Sequence, residues 1–184
     1  MGTAIDDAAL VARCKRELPY QHAGFEQLVE RYKDMVYTVC YRLVGNASDA
    51  EELMQEVFTK VFLNLATFEE RSAFSSWLYR IAHNQCLNFL AKRKREAAGM
   101  AGYVEERRVR SAAAPQGFSD DVQQALNQLN EEQRSILVMK YILELELTEM
   151  SEVLGVTVGA VKMRLLRARE EFRRLYHQQE PAGG

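Results

Sequence analysis

Apolar residues recur at intervals of three and four along most of the chain, and this period constrains the fold more than any other feature of the sequence. One row of such residues runs from Phe25 to Leu43, and a second runs from Ala50 to Leu65. No segment shows the alternation of apolar and polar residues that is typical of a strand. The sequence therefore predicts an all-α fold.

Glycine and proline divide these rows into separate helices. Pro19 and Gly24 separate a short first helix from a longer second one, and Gly45 separates the second from a third. Both residue types favour turns, because glycine tolerates positive φ and proline cannot donate a helical hydrogen bond. A fourth helix is predicted over residues 75–95, and further helices follow residue 119.

Residues 97–118 lack apolar periodicity and are rich in alanine, glycine and arginine. We interpret them as a linker between two small helical domains, at residues 1–96 and 119–184. The linker contains both acidic and basic residues. A flexible tether and a segment with specific contacts of its own are equally consistent with that composition.

Charge is nearly balanced overall but unevenly distributed. The net charge of -2 argues against a protein that coats nucleic acid through a broad basic surface. Basic residues concentrate at 92–95 and 162–174, whereas carboxylates concentrate at 49–56 and 144–152. This separation predicts different partners for different faces of the protein.

The chain has no apolar run of the roughly 20 residues that span a bilayer. Its first ten residues include Asp6 and Asp7 rather than a basic leader, so we expect a cytoplasmic protein with no membrane insertion of its own. The three cysteines, Cys14, Cys40 and Cys86, form no CxxC motif. Reduced thiols fit that location.

His83 and Cys86 lie three residues apart, as a metal-binding pair on a helix would. No second pair accompanies them, so we interpret them as ordinary helix residues and expect no metal and no cofactor. The chain also lacks a phosphate-binding glycine loop, a nucleophile motif and a paired His-Glu zinc helix. We therefore do not expect an enzyme.

Residues 147–169 have the turn chemistry of a helix-turn-helix motif. Thr148 is predicted to cap a short helix, Gly155 to end it, and Thr157 to cap the second helix. Upstream, Asn130 and Gln133 form a variant of the capping box that opens a helix.

The second helix of the motif has one apolar stripe with spacings of three and four. Its residues are Val158, Val161, Leu165, Ala168, Phe172 and Leu175. The opposite face carries cations and two apolar side chains, which suit phosphates, guanine edges and thymine methyl groups in a major groove. A basic, solvated helix is the alternative interpretation. The residues of this face and its flanks are Lys162, Met163, Leu166 and Arg167, with Arg164 and Arg169 beside them.

Two blocks, in this order, resemble the extracytoplasmic-function (ECF) sigma factors of the sigma-70 family. FEQLVERYKDMVYTVCYRLVGNASDAEELMQEVFTKVFLNL with SSWLYRIAHNQCLNFLAKRKR is similar to the sigma-2 domain, and LNQLNEEQRSILVMKYILELELTEMSEVLGVTVGAVKMRLLRAR is similar to sigma-4. The resemblance covers about residues 10–175. It implies a bacterial subunit that binds core RNA polymerase, recognises minus-ten and minus-thirty-five promoter elements and helps to open DNA for a stress- or signal-responsive regulon.

The sequence departs from the family pattern at a few positions. Glu52 replaces the usual Asp, Asn130 the usual Pro, Met150-Ser151 the usual Ile-Ala, and Ala160 the usual Thr. A fifth departure, Met163 for Ser, is the one expected to face DNA. It affects the predicted promoter preference.

The resemblance places core-polymerase docking on the helix that follows Gly45, against a basic coiled coil of the largest subunit. Asp49, Glu52 and Glu56 share one face of this helix, because they lie at positions i, i+3 and i+7. A solvated helix face would show the same pattern. The docking residues that it implies are Asp49, Glu51, Glu52, Gln55 and Glu56. It also implies contact with the polymerase flap region and an anti-sigma factor, either free or membrane-bound.

The resemblance places minus-ten recognition on the fourth helix and the loop before it. These residues are Phe68, Ser72, Phe74, Ser75, Arg80, Asn84, Asn88, Lys92 and Arg93. The four from the loop, Phe68, Ser72, Phe74 and Ser75, are the candidates for a pocket that holds an unpaired base. Trp77 fits either a core position or a stacking platform for an unpaired base. The minus-thirty-five residues are Thr157, Val158, Gly159, Lys162, Met163, Arg164, Leu166, Arg167 and Arg169.

Two other classes of protein remain open from the residues alone. A transcription activator with a helix-turn-helix would bind duplex DNA without polymerase, whereas an interaction module would bind polymerase without reading promoters. The acidic helix and the polar ridge of the fourth helix favour the sigma factor over the activator.

Overall fold

The computed structural model describes residues 6–99 and 120–178, and the regular structure within these two ranges is helical. This confirms the predicted all-α class. Eight α-helices follow one another along the described chain, with a short 3-10 turn at Leu65–Thr67. The helices are α1 (Asp7–Glu17), α2 (Ala23–Val44), α3 (Ala47–Asn64), α4 (Phe74–Gly99), α5 (Asp120–Gln128), α6 (Glu131–Tyr141), α7 (Leu147–Leu154) and α8 (Val158–His177).

The turn between α2 and α3 is built by two residues. Gly45 has φ of 73°, in the left-handed region that glycine adopts without strain, and its N–H donates to the Tyr41 carbonyl over 2.8 Å. The Asn46 side chain then accepts a hydrogen bond from the Asp49 N–H over 3.0 Å and caps α3. This two-residue connection folds α3 back against α2.

Helices α1 to α4 form the first half of the protein around α2. Leu28, Val36 and Val39 of α2 are completely buried, as are Val57 and Val61 of α3. Spacings of eight and three in α2 and of four in α3 put each set on one helix face, so the burial follows from the periodicity of the sequence. Helix α4 packs against both α2 and α3.

Helices α5 to α8 form the second half, and local capping fixes most of their ends. Asn130 accepts from the Gln133 N–H over 2.9 Å, and the Gln133 side chain accepts from the Asn130 N–H, so the predicted capping box is confirmed. Gly155 ends α7 with φ of 64°, and the Thr157 hydroxyl accepts from the Ala160 N–H over 3.2 Å at the start of α8. Both predictions are confirmed.

The predicted cap at Thr148 is wrong. Helix α7 begins one residue earlier, at Leu147, and its N-cap is Glu146. The Glu149 side chain accepts a hydrogen bond from the Glu146 N–H over 2.9 Å, which satisfies a backbone donor that the helix itself leaves free. Thr148 therefore lies in the first turn of the helix.

The two halves are in direct contact, because α5 and α6 pack against α2. Their buried apolar side chains form one contiguous cluster. Helix α4 continues to Gly99, three residues into the predicted linker, and the rest of that predicted segment, residues 100–118, lies outside the described residues. No helix in the described ranges is long and apolar enough to cross a membrane.

Candidate polymerase and promoter interfaces

The acidic face of α3 is open to solvent along most of its length. Glu51, Glu52, Gln55 and Glu56 are exposed, whereas Asp49 is half-buried. Asp49, Glu52 and Glu56 line the same cleft, as their spacing predicted, and the opposite wall of this cleft is α4. The cleft has a volume of about 330 Å³, so it is a shallow groove between two helices.

Two of these carboxylates already have partners on α4. The Arg93 guanidinium lies 3.3 Å from the Asp49 carboxylate, and the Gln85 amide donates to Glu56 over 2.8 Å. Asp49 and Arg93 were predicted to bind different partners, polymerase and DNA. The structure brings them together, so the predicted docking face and the predicted DNA ridge share one boundary.

An apolar groove flanks α3 on its other side. It lies between α2 and α3 and is lined mainly by Phe25, Val29, Met54, Phe58 and Phe62. At its end, Leu63 is 70% exposed. A large exposed leucine beside an apolar groove and a row of carboxylates is typical of a docking surface for a partner that carries both apolar and basic residues.

The predicted minus-ten ridge on α4 divides into two parts. Asn84, Asn88, Lys92 and Arg93 are exposed, as binding to DNA requires. Arg80 is half-buried, and its Nε atom is buried with no hydrogen-bond partner among the residues that the structure describes. The exposed ridge therefore begins one turn after Arg80.

Phe68 and Phe74 are buried in the arrangement seen here and do not form an open base pocket in it, so their role at an unpaired base stays a prediction. They are 6% and 5% exposed, and their rings meet edge to face with centroids 5.7 Å apart. Trp77 packs on both, with centroids 5.0 Å from Phe68 and 5.8 Å from Phe74. Burying this apolar surface stabilises the fold more than exposing three rings on a loop would. Trp77 is thus part of the same aromatic cluster.

The loop that carries Phe68 is held by the first helix. The Lys15 ammonium donates to the Phe68 carbonyl over 2.6 Å and to Glu70 over 2.9 Å. Ser72 and Ser75 remain half-exposed on the same stretch of chain. Of the four residues of the predicted base pocket, these two serines are the ones that solvent reaches in this structure.

The face of α8 that was predicted to read DNA is exposed. Lys162 and Arg167 are open to solvent, and Met163 and Leu166 are 51% and 48% exposed despite being apolar. Opposite them, the predicted stripe packs inward, with Val161, Ala168 and Leu175 buried and Val158, Leu165 and Phe172 partly buried. Thr157 and Gly159 are exposed at the N-terminal end, where helix N–H groups can meet a phosphate.

Two flanking arginines of α8 have other surroundings. Arg164 pairs with Glu132 of α6 over 2.7 Å. Arg169 lies at a groove of about 450 Å³ that α5, α6 and α8 enclose. This groove is lined mostly by apolar side chains, and Arg173 is its second cation. Arg164 therefore contacts α6, whereas Arg169 stays exposed beside this groove.

The buried thiols and the histidine of α4 have structural surroundings. Cys14, Cys40 and Cys86 are buried and free of disulfides. A hydrogen bond with Cys40, together with burial, raises the pKa of Cys86, so its thiol stays protonated and unreactive. Burial lowers the pKa of His83, whose Nε2 contacts the Ser135 hydroxyl. Within residues 6–99 and 120–178, no cluster of three potential ligands has the geometry of a metal site.

Sequence analysis missed the polar contacts that join the two halves. Arg42 is 1% exposed and donates to Gln123 of α5 over 2.7 Å, and Arg134 of α6 donates to the Leu43 carbonyl over 2.5 Å. An arginine within an apolar row of a helix was the available signal, because Arg42 adjoins Leu43 and Val44. Such a residue is seldom buried without a partner from elsewhere in the fold.

An acidic helix face, a polar ridge and a helix-turn-helix on one all-helical chain are typical of a DNA-binding transcription factor that also binds a protein partner. Family models agree with this class: Sigma-70 region 2 matches residues 28–96, and Sigma-70, region 4 matches residues 119–172. The chain belongs to the ECF sigma factors of the sigma-70 family, which are RNA polymerase sigma factors and transcription regulators.

Curated relatives show the same family over most of their length. The chain is 36% identical to the ECF RNA polymerase sigma factor SigW of Bacillus subtilis, over 82% of this chain and 88% of SigW. It is 31% identical to the RNA polymerase sigma-H factor of Pseudomonas aeruginosa, over 92% of this chain and 93% of that protein.

Solved structures share the fold. The sigma factor RpoE of Bartonella quintana, solved in complex with the anti-sigma factor NepR, aligns with a TM-score of 0.71 at 24% identity, over 85% of this chain and 98% of RpoE. CnrH, solved in complex with the cytosolic domain of CnrY, aligns with a TM-score of 0.70 at 22% identity, over 95% of this chain and 99% of CnrH.

Proposed function

We propose that this sigma factor binds core RNA polymerase in the cytoplasm through α3, and reads a promoter through α4 and α8. The observation that carries the proposal is the pair of adjoining surfaces on α3. Exposed Glu51, Glu52 and Glu56 lie beside an apolar groove that ends at the exposed Leu63. If the carboxylates of α3 only faced solvent and bound no partner, an apolar groove beside them would have no use.

The partner that fits α3 is a helical, basic and partly apolar segment, such as the coiled coil of the largest polymerase subunit. Carboxylates on a helix face form charge-assisted hydrogen bonds with arginines, and the groove buries the apolar side chains between them. Burial of Leu63 removes apolar surface that is exposed to water in the free protein.

The exposed ridge of α4 is proposed to contact the minus-ten element. Asn84 and Asn88 offer both donors and acceptors to base edges, and Lys92 and Arg93 offer cations to phosphates. Ser72 and Ser75 are proposed to hydrogen-bond an unstacked base at the end of this ridge. In this proposal, opening of the promoter DNA relies on polar contacts with the unstacked base rather than on the buried rings of Phe68 and Phe74.

Helix α8 is proposed to enter the major groove at the minus-thirty-five element. The stripe through Val161 and Ala168 fixes its orientation, so Lys162, Met163, Leu166 and Arg167 meet DNA together. Its N-terminal residues Thr157, Val158 and Gly159 lie where such helices usually approach the backbone and the base edges. The cations give affinity and the two apolar side chains favour thymine methyl groups.

The groove between α5, α6 and α8 is proposed to hold an apolar helix of the polymerase flap region. Its lining includes Leu126, Leu137 and Phe172, and Arg169 and Arg173 lie at the groove as cations for acidic residues of the incoming helix. An anti-sigma factor, free or membrane-bound, is proposed to compete with polymerase by covering the α3 face and α8.

The test is reconstitution with purified core polymerase. Size-exclusion chromatography of the mixture measures docking, and run-off transcription from a promoter library measures initiation. We expect co-elution and specific transcripts. Co-elution without any transcript would show a module that only sequesters polymerase, and specific duplex binding without core would show an activator.

A further inference from the structure

One side chain of α1 holds the loop between the 3-10 turn and α4, residues 68–73, at two of its residues. The Lys15 ammonium donates to the Phe68 carbonyl over 2.6 Å and to the Glu70 carboxylate over 2.9 Å. It also lies 5.4 Å from the centroid of the Phe68 ring, which is within the range of a cation–π contact. A single cation therefore fixes the main chain and ring of one loop residue and the side chain of another.

Helix α1 is a rigid support for this cation, because both of its ends are tied to α2. In the first turn, the Asp7 carboxylate accepts a hydrogen bond from the Arg31 guanidinium over 2.5 Å. In the last turn, the Glu17 carboxylate accepts from the Gly24 N–H over 2.7 Å. Between these two ends, Leu10 is 1% exposed. The position of α1 is therefore set by α2 and not by the loop.

The loop has a strained backbone at a residue that Lys15 binds. Glu70 has φ of 58°, in the left-handed region, which a residue with a side chain keeps only where its surroundings hold it. Its carboxylate is paired with Lys15, and this side chain is 52% exposed. An ion pair with such an exposed group is weak by itself, so the shorter, charge-assisted bond to the Phe68 carbonyl supplies most of the restraint.

The restraint reaches the serines of the proposed site for an unstacked base, because the loop is short. Glu70 lies two residues before Ser72, and Phe74 lies two residues after it. The Phe74 ring packs on Phe68, with centroids 5.7 Å apart. Two residues of extended chain span at most about 7 Å. Ser72 is thus confined between two fixed points, and Ser75 follows in the first turn of α4.

Confinement of the loop favours the capture of a base. A base that leaves the duplex loses its stacking and pairing, and the site that receives it has to offset that loss. If the receiving loop were free, it would also have to be ordered at the moment of binding, which lowers affinity. A loop that α1 already holds avoids this second cost.

We propose that Lys15 is a positioning residue for promoter opening, which holds residues 68–73 in the arrangement in which Ser72 and Ser75 meet the unstacked base. Lys15 acts through the loop and not through a contact with the base. This proposal rests on the proposed function, because that function assigns the base to the two serines. Loss of Lys15 is expected to remove the contribution of one base and to leave the rest of the minus-ten contact intact.

The test measures how much one unpaired base contributes to binding with and without Lys15. Lys15→Met removes the ammonium and keeps the aliphatic stem. The matched control is Arg16→Met, which removes the same charge from the next residue of α1. Arg16 is exposed and contacts neither Phe68 nor Glu70 in the described part of the chain. Each variant is assembled with core polymerase and titrated with single-stranded minus-ten oligonucleotides, one intact and the others with one abasic site each.

The position that the loop binds is identified independently of Lys15. It is the position at which an abasic site lowers the affinity of wild type but not of the double variant Ser72→Ala with Ser75→Ala. The loss in wild type is expected to be about 10-fold, the usual size of one base contact. If every abasic loss is the same in wild type and in the serine variant, the proposed function of the loop is wrong.

At that position, Arg16→Met is expected to show the same 10-fold loss as wild type. Lys15→Met is expected to bind the intact oligonucleotide about as weakly as wild type binds the abasic one, with little further loss from the abasic site. Two changes that remove one interaction are not additive. An abasic loss in Lys15→Met equal to that of wild type would overturn the proposal, even if the variant bound all oligonucleotides more weakly, because a general weakening is what damage to the fold produces.

A second variant breaks the restraint from the side of the loop. Glu70→Ala removes the carboxylate that pairs with Lys15 and leaves a side chain that is strained at positive φ. Its control is Glu69→Ala, since Glu69 pairs with Arg71 within the loop over 2.7 Å. Helix α1 is unchanged in both variants. Glu70→Ala is expected to reduce the abasic loss at the same position, and Glu69→Ala is expected to leave it unchanged. Equal abasic losses in the two variants would contradict the restraint.

Discussion

The two halves of the protein present their function in different ways. In the second half, one helix carries the proposed reading surface, and a single stripe of buried residues through Val161 and Ala168 fixes which side chains face outward. In the first half, the surfaces lie between helices: the cleft joins α3 to α4, and the apolar groove joins α2 to α3. A surface on one helix follows from its period, whereas a surface between helices depends on packing.

The largest expected effect concerns the aromatic cluster of the first half. Phe68→Ala is expected to lower the free energy of unfolding by about 3 to 5 kcal/mol, because it leaves a cavity beside Phe74 and Trp77. Chemical denaturation followed by circular dichroism measures this. Tyr20→Ala is the control, since Tyr20 is 91% exposed. A stability loss no greater than in the control would mean that Phe68 does not contribute to the core and is free to contact an unpaired base.

Charge reversal on α3 is the next effect in size. Glu52→Lys combined with Glu56→Lys is expected to weaken core-polymerase binding by about 10- to 100-fold, in the range of an interface hot spot, while helical content is unchanged because exposed carboxylates contribute little to folding. Binding is measured with labelled protein and core. The matched control reverses Glu152 and Glu170, two exposed acids of the second half. Equal affinities in both double variants would mean that another surface docks.

On α8, Arg167→Ala is expected to cost about 1 to 3 kcal/mol if this side chain pairs with a guanine, with the loss at one minus-thirty-five position. A phosphate contact would instead weaken all promoters equally and reduce the salt dependence by about one unit. Initiation from a library of minus-thirty-five sequences distinguishes the two. Met163→Ser is expected to shift preference without unfolding. Unchanged preferences in both variants would show that this face does not read bases.

The smallest effect tests whether the α3 and α4 surfaces are coupled. Asp49→Asn removes the carboxylate that pairs with Arg93, and the freed cation is expected to strengthen binding of single-stranded minus-ten DNA by the free protein by up to about 1 kcal/mol, the usual size of an exposed pair. Glu51→Gln removes the same charge from an exposed position without a contact to Arg93 among those described. Fluorescence anisotropy at two salt concentrations compares them. Equal gains in DNA affinity for the two variants would mean that the effect comes from the change in net charge and not from release of Arg93.

The fold and the reading helix were predictable because each rests on local information. Gly45, Gly155 and Thr157 mark helix ends through backbone chemistry that a sequence displays directly. The burial of Phe68 and Phe74 was not predictable, because a loop phenylalanine has no period that distinguishes a buried ring from an exposed one. The Thr148 cap failed because Glu146 competes for the same helix end.

The polar contacts between the two halves could not be predicted from the sequence for a different reason. Arg42 and Gln123 are 81 residues apart, and although an arginine in an apolar row indicates burial, it does not indicate which residue it contacts. Only the packing of α5 and α6 on α2 brings such residues together. Long-range polar pairs of this kind leave no periodic signal in one sequence.

We propose that promoter recognition belongs to the complex with polymerase rather than to the free chain. It is tested most directly by titrating one fluorescent promoter duplex with free protein and with protein bound to core, at physiological salt. We expect weak binding by the free protein, because its net charge is -2 and its cationic surfaces are local, and specific, tight binding by the complex. Equally tight and specific binding by the free protein would contradict it.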